Sequence, residues 1–152
     1  MRDFFLVAFG AVLGAIITVV TNIYLEKRKE DARRDQKFKL LLAELEENYI
    51  LVQHYSLAGG LAKLTLLKSA WDTVKGDIFP LPPDLQESLR SAYAEVAQFN
   101  GLVAYDLEKV EMGSGRLSQA LEVKSGEVCE KLGHSRTKLK EHLGVQSKLL
   151  LS

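Results

Sequence analysis

The sequence lacks the residues from which most covalent or metal-bound sites are built. Its only cysteine, Cys129, excludes an internal disulfide and argues against a zinc site made of several cysteines. Three prolines and no internal repeat exclude a proline-rich linker protein. Lys+Arg and Asp+Glu each total 20, so no basic excess points to general nucleic-acid binding.

Catalytic motifs are also missing from the sequence. It contains no GxGxxG, Walker loop, HExxH or CxxC, and none of His54, His134 and His142 follows a glutamate by three residues, as a di-iron bundle requires. Glu130 and His134, four residues apart, are interpreted as a solvated helical pair. Cys129 is interpreted as a buried, inert thiol. We therefore predict a protein that is not an enzyme, with no catalytic residue, cofactor or metal.

A long apolar run lies near the N-terminus. Residues 4–25 carry no charged side chain, and as a helix they would be roughly 33 Å long, enough to cross a bilayer. A cleaved signal peptide fits less well, because the run exceeds the usual length and a dense charge block follows it. The run therefore predicts an uncleaved transmembrane anchor over 1–25.

The charges that flank this run predict its orientation. Basic residues concentrate on its C-terminal side, which the positive-inside rule places in the cytoplasm. We therefore expect a single-pass protein of the plasma (inner) membrane, with its N-terminus outside and its C-terminal domain cytoplasmic. The membrane-proximal basic residues are Lys27, Arg28, Lys29, Arg33 and Arg34.

Small residues form a stripe within the predicted anchor. Gly10 and Gly14 make a GxxxG pair, and Ala11, Ala15 and Thr18 extend it. Small side chains allow helices to approach closely, so the stripe predicts association between membrane helices. Glycine and alanine are also simply common in such helices, and this alternative stays open.

The remainder of the chain is predicted to be helical. Residues 26–37 read as a charged helical stalk, and residues 38–152 as a cytoplasmic bundle. Apolar residues recur at spacings of three and four over Phe38–Tyr55 and over Leu85–Val110, which indicates two helical seams.

Two further helices complete the predicted bundle. We expect a second helix over Leu61–Lys75, and a capping box at Asp84–Glu87 that opens the third. A last helix is expected from Arg116, and Gly133–Ser135 is a candidate point at which it breaks into two pieces. The fold class is thus all-α, with the anchor continuing through the stalk into an up-and-down antiparallel four-helix bundle.

A few polar and aromatic side chains fall on the predicted seams. Asn48 and Asn100 are candidates to meet across the bundle and fix its register; alternatively, each bonds a backbone carbonyl or water. Trp71 and Tyr93 are expected in the core, although Trp71 is also a candidate exposed anchor for a partner.

Several short sequence markers between residues 44 and 100 resemble a pattern found in other proteins. The segment Glu44–Asn48 reads ELEEN, Ala70–Trp71 follows, and then come Leu81-Pro82, Leu85, Leu89, Tyr93 and Asn100. The pattern resembles small, uncharacterised prokaryotic proteins with an N-terminal membrane helix, a charged stalk and a helical domain. The resemblance covers about residues 38–107 and implies no activity, cofactor or substrate.

The leading functional hypothesis is a non-enzymatic, membrane-tethered interaction or scaffold module. Its expected partners are membrane lipid and either copies of itself or a membrane protein, with no nucleic acid and no small-molecule substrate. The alternative is a ligand-responsive sensor or membrane effector, which a pocket lined by Trp71, Tyr93 or Tyr105 would support. An enzyme that uses His54, His134 or Cys129 is the third and weakest hypothesis.

Overall fold

A computed structural model shows an all-helical chain. It describes the backbone of residues 2–57, 64–111 and 118–149, and the side chains of residues 14–54, 64–108 and 120–144. Within these ranges every regular element is a helix, as predicted. The elements are α1 (Arg2–Leu57), α2 (Ser69–Val74), α3 (Pro83–Glu111) and α4 (Ser118–Leu149).

The chain divides into two compact units, Met1–Gln36 and Lys37–Ser152. In the first unit, α1 leaves its apolar side chains exposed from Gly14 onwards. Thr18 and Thr21 donate their hydroxyl hydrogens to the carbonyls of Gly14 and Ile17, both at 2.8 Å. Both threonine hydroxyls therefore donate their hydrogens to the backbone of their own helix.

The predicted membrane localisation is contradicted. Over the residues that the structure describes, no helix combines the length and the apolar character needed to cross a bilayer. The prediction of a single-pass inner-membrane protein with a cytoplasmic C-terminal domain is therefore wrong on this finding.

The second unit is built around the two seams predicted from the sequence. Along α1 and α3 the residues spaced by three and four are buried, which confirms both seams over the described side chains. The buried seam residues are Phe38, Leu41, Leu45, Asn48 and Val52 on α1, and Leu85, Leu89, Ala92, Val96, Phe99, Val103 and Asp106 on α3. Leu121, Val128, Leu132 and Leu139 of α4 complete this core.

The second helix is much shorter than predicted. Residues 64–68 form no helix, and α2 covers only Ser69–Val74 instead of Leu61–Lys75, of which 61–63 lie outside the described residues. The sequence pattern was misleading because the backbone groups of Leu66 and Leu67 are bonded to side chains of other helices. Those groups are therefore not available for a helical ladder.

The sequence suggested a break in the last helix at Gly133–Ser135, but the helix is continuous there. α4 runs without interruption from Ser118 to Leu149. A Cβ atom at Gly133 would lie 3.1 Å from Cε2 of Tyr49, so the missing side chain allows α4 to approach α1. Ser135 is buried and bonds Ser88 of α3 through its hydroxyl, at 2.8 Å. Tertiary packing thus outweighs the low helix propensity of this glycine.

The third helix begins one residue before the predicted capping box. Pro83 is its first residue, a position that proline favours because its missing N–H has no partner there. Asp84 lies in the first turn and pairs with Lys138 of α4 at 3.1 Å. The Gln86 amide donates to the carbonyls of Phe79 and Leu81, which fixes the turn before α3.

Candidate functional site

An extended segment lies between α1 and α3 in the second unit. We call residues 64–71 the strap; its first part, 64–68, forms no regular secondary structure, and its end enters α2. Leu66 points into the core and is 2% exposed, whereas Thr65 and Leu67 on either side of it are exposed. This alternation is that of an extended chain, whose successive side chains point to opposite faces.

Two asparagines hold the strap by its backbone. Asn48 of α1 accepts the Leu67 N–H and donates to the Leu67 carbonyl, both at 2.7 Å. Asn100 of α3 accepts the Leu66 N–H at 2.8 Å and donates to the Leu66 carbonyl at 2.9 Å. Each side-chain amide therefore pairs with one residue as a neighbouring β-strand would.

A buried glutamate holds the end of the strap. Glu44, one helical turn before Asn48, is 5% exposed. Its Oε2 accepts the Ser69 hydroxyl at 3.0 Å and the Ala70 N–H at 2.7 Å, and its Oε1 accepts the Trp71 N–H at 3.1 Å. Lys68, at the N-cap position of α2, provides no side-chain cap. Glu44 therefore satisfies N–H groups that open the first turn of α2.

Tyr93 of α3 contacts both Glu44 and Trp71 at this site. Its hydroxyl donates to Oε1 of Glu44 at 2.8 Å, and its ring stacks on Trp71 with the ring centres 4.7 Å apart and the planes 4° from parallel. Burial raises the pKa of Tyr93, and the charge of Glu44 raises it further. The phenol therefore stays protonated and remains a donor.

The arrangement binds main chain. From Leu67 to Trp71 the strap proceeds along α1 from Asn48 back to Glu44, so it runs antiparallel to that helix. Every polar contact of Glu44, Asn48 and Asn100 described above is to the strap or to Tyr93. These side chains fix the position and direction of the strap.

The polar and aromatic residues singled out in the sequence meet at this site. Asn48 and Asn100 bond adjacent residues of the strap and not each other. Each donates to a backbone carbonyl, which confirms the alternative drawn from the sequence. Trp71 is half-buried and Tyr93 is buried. Sequence reasoning missed Glu44, although its spacing of four from Asn48 places both on one face of α1 and was the available signal.

The residues predicted for membrane-helix association and membrane proximity lie in the first unit. Gly10 and Ala11 fall outside the described side chains, whereas Gly14, Ala15 and Thr18 are exposed. Of the predicted basic residues, Lys27, Arg28, Lys29 and Arg33 are exposed, and Arg34 is partly exposed and pairs with Asp31 at 3.6 Å.

An open groove of about 630 Å³ lies between α1 and α4, and Glu130 and His134 of α4 are among the residues that line it. Tyr49, Gly126 and Cys129 are among its lining residues. Cys129 was predicted to be buried, but it is only half-buried. Burial raises the pKa of its thiol, against the opposing effects of a hydrogen bond with Tyr49 and the charge of Arg136. A raised pKa keeps the thiol protonated and poorly nucleophilic.

No cluster of three or more His, Cys, Asp or Glu side chains able to hold a metal is found among the described residues. Glu130 and His134 are both exposed. Within the described part of the chain, therefore, the titratable groups do not assemble a metal centre.

Comparison with known proteins identifies no relative. No protein family model matches the chain. No curated protein and no solved structure matches it either. The resemblance to small prokaryotic membrane-anchored proteins therefore stays a prediction.

Proposed function

We propose that the protein is a non-enzymatic helical interaction and scaffold module that associates with copies of itself through the first unit. The observation that carries the proposal is the exposure of large apolar side chains along residues 16–25. Ile17, Val20 and Ile23 are 64%, 59% and 61% exposed, and Ile16, Val19, Tyr24 and Leu25 are exposed as well.

An apolar helix of this kind is stable in water only when other surfaces cover it. A helix that is apolar on all sides is typical of a buried position, and large exposed apolar patches mark interaction sites. Copies of the same chain are the partners we propose, because symmetric homo-oligomers are the commonest assemblies of soluble chains. In this proposal, association through the first unit brings together the second units of different copies. The up-and-down bundle arrangement of the second unit stays a prediction.

The test compares the oligomeric state of the full chain with that of a charged variant. Ile17→Glu/Val20→Glu places two like charges on one face of the helix, and Glu30→Gln/Asp31→Asn changes the charged stretch as a matched control. Light scattering of the purified chains should show oligomers for the parent and the control and a monomer for the first variant. A monomeric parent chain, or a parent chain that sediments with lipid vesicles and does not self-associate, would overturn the proposal.

A sensor function has one observation in its favour, the open groove between α1 and α4. Its lining includes Tyr49, Val52 and Cys129 and does not include Trp71, Tyr93 or Tyr105, the residues that the sequence suggested. In this alternative a small apolar ligand would bind in the groove and change the spacing of α1 and α4. A thermal shift of the purified chain with a panel of small aromatic compounds tests it, and an unchanged midpoint with every compound would count against it.

A further inference from the structure

A charged stretch follows the exposed apolar stretch of α1 within the first unit. Residues 26–35 carry five basic and four acidic side chains, all of them exposed or partly exposed. Because these charges nearly cancel, the total charge of the stretch neither draws copies of the chain together nor keeps them apart. Only the order of the charges along the helix distinguishes one direction of association from the other.

The charges in this stretch recur with the same sign at a spacing of five residues. The like-charged pairs are Glu26 and Asp31, Arg28 and Arg33, Lys29 and Arg34, and Glu30 and Asp35. Lys27 is the exception within residues 26–30, because the residue five positions after it is Ala32.

A spacing of five residues joins the charges that meet when two helices pack side by side in the same direction. In a parallel coiled coil, a g position of one helix faces the e position five residues further along the other helix, and charges there influence partner and orientation. Residues at the a and d positions of the seam face their own copy. A parallel, in-register pair of α1 helices would therefore place like charges of residues 26–35 opposite each other, whichever of these residues lie at the seam.

We propose that copies of the chain associate through residues 14–25 with neighbouring α1 helices antiparallel. The proposal rests on the self-association proposed above and adds to it the direction in which the partner helix runs. An antiparallel neighbour covers the apolar side chains of one copy with those of a second copy. It also places the two charged stretches at opposite ends of the contact, at least about 20 Å apart along the helices, which exceeds the Debye length of about 8 Å.

The threonines within residues 14–25 are compatible with burial in such a contact. Thr18 and Thr21 donate their hydroxyl hydrogens to carbonyls of their own helix, both at 2.8 Å. Covering these side chains with a second helix therefore leaves neither hydroxyl hydrogen without an acceptor.

The test measures the distance between the same site in two associated copies. Ala32→Cys, on a chain whose own cysteine is removed by Cys129→Ser, carries a nitroxide spin label at an exposed position of the charged stretch and alters no charge. In an antiparallel contact centred on residues 14–25, the two labels are about 38 Å apart along the helices, at about 1.5 Å per residue. A contact centred on the whole uncharged run, residues 4–25, lengthens this distance to about 53 Å.

Pulsed electron paramagnetic resonance measures these distances, and light scattering of the same labelled sample reports association separately. We expect oligomers with a population of label distances above about 35 Å. In a parallel assembly the labels are separated only by the spacing of neighbouring helices and by their own linkers, which keeps every distance below about 20 Å. Oligomers with only these short distances would overturn the antiparallel inference and leave the self-association standing, whereas a monomer would overturn both.

A variant with reordered charges tests whether the charge order determines the direction. The four substitutions keep the net charge and give each pair at a spacing of five opposite signs: Glu26→Lys/Arg28→Glu/Lys29→Glu/Glu30→Lys. In this variant, labelled at Ala32→Cys, a population of distances below about 20 Å should appear at the expense of the long one, because the parallel contact now gains attractive pairs.

The matched control is Glu30→Gln/Asp31→Asn, labelled in the same way. It should keep the distances of the parent chain, because the pairs of Arg28 with Arg33 and of Lys29 with Arg34 stay like-charged. Unchanged distances in the reordered variant would show that the charges do not select the direction, and would overturn the proposal.

Discussion

Two stretches of the same helix have opposite relations to solvent. From Gly14 to Leu25, α1 is almost continuously apolar, and every side chain of that stretch is exposed. From Phe38 to Val52 it is rich in charged and polar residues, yet Leu41, Leu45 and Val52 are fully buried. The difference teaches that the spacing of apolar residues, more than their number, determines which face of a helix packs against its neighbours.

The largest expected effect comes from truncating the same residue type in the two stretches. Leu45→Ala removes a fully buried side chain and should lower the free energy of unfolding by about 2–5 kcal/mol, because a cavity remains. Leu25→Ala, at a side chain that is 46% exposed, should change the free energy of unfolding of the second unit by less than about 0.5 kcal/mol. Urea denaturation measures both. Equal losses would mean that the first stretch packs as firmly as the second.

A smaller effect is expected from neutralising Glu44. Glu44→Gln replaces a carboxylate that accepts bonds from Ser69, Ala70, Trp71 and Tyr93 with an amide that has only one acceptor oxygen. We expect a loss of about 2–3 kcal/mol in unfolding free energy, since bonds to charged groups are stronger than neutral ones.

The matched control for this change is the exposed Glu47 on the same helix. Glu47→Gln should leave the urea midpoint unchanged, because its side chain is solvated. Amide exchange at Ala70 and Trp71 should accelerate in Glu44→Gln alone. Unchanged exchange at those amides would contradict the capping role assigned to Glu44.

The smallest effect distinguishes ion pairs in the two units. Glu95 of α3 is 13% exposed and pairs with Lys124 and Lys131 of α4, the latter at 3.0 Å, and these bonds lower its pKa. A carboxylate whose pKa is lowered on folding stabilises the protein above its unfolded pKa of about 4.3, and this contribution is lost as pH falls through the lower, folded value.

Glu95→Gln should therefore destabilise the chain at pH 7 and flatten the fall in stability below about pH 4, as followed by the urea midpoint against pH. Asp31→Asn, which breaks the exposed pair with Arg34, should leave the same curve unchanged. A curve for Glu95→Gln that overlays the parent curve at every pH would show that the pairs on Glu95 add nothing to stability.

The sequence was sufficient to predict the seams of α1 and α3 because helical periodicity is a local property. Phe38, Leu41 and Leu45 signal their burial through their spacing alone. The strap was not predictable in this way. Leu64, Trp71 and Val74 continue a helical spacing, but Asn48 and Asn100 remove the backbone groups of Leu66 and Leu67 from any helical ladder.

The candidate site shows the same division. The sequence pattern indicated its asparagines and aromatic residues, because they fall on or near the predicted seams. It did not indicate that they bind the strap, because that depends on contacts between residues far apart in the chain. The unbroken course of α4 through Gly133 depends likewise on the ring of Tyr49, which no local rule reveals.

The strap is bonded by Asn48 of α1 and by Asn100 of α3, and these two sets of bonds form in a definite order during folding. Asn48 and Leu67 are 19 positions apart, whereas Asn100 and Leu66 are 34 apart. A nascent chain that ends before Asn100 has emerged can close only the shorter of these loops. The second set of bonds forms after α3 has been synthesised and has docked, so the segment that separates α1 from α3 is secured on both edges only late in the assembly of the second unit.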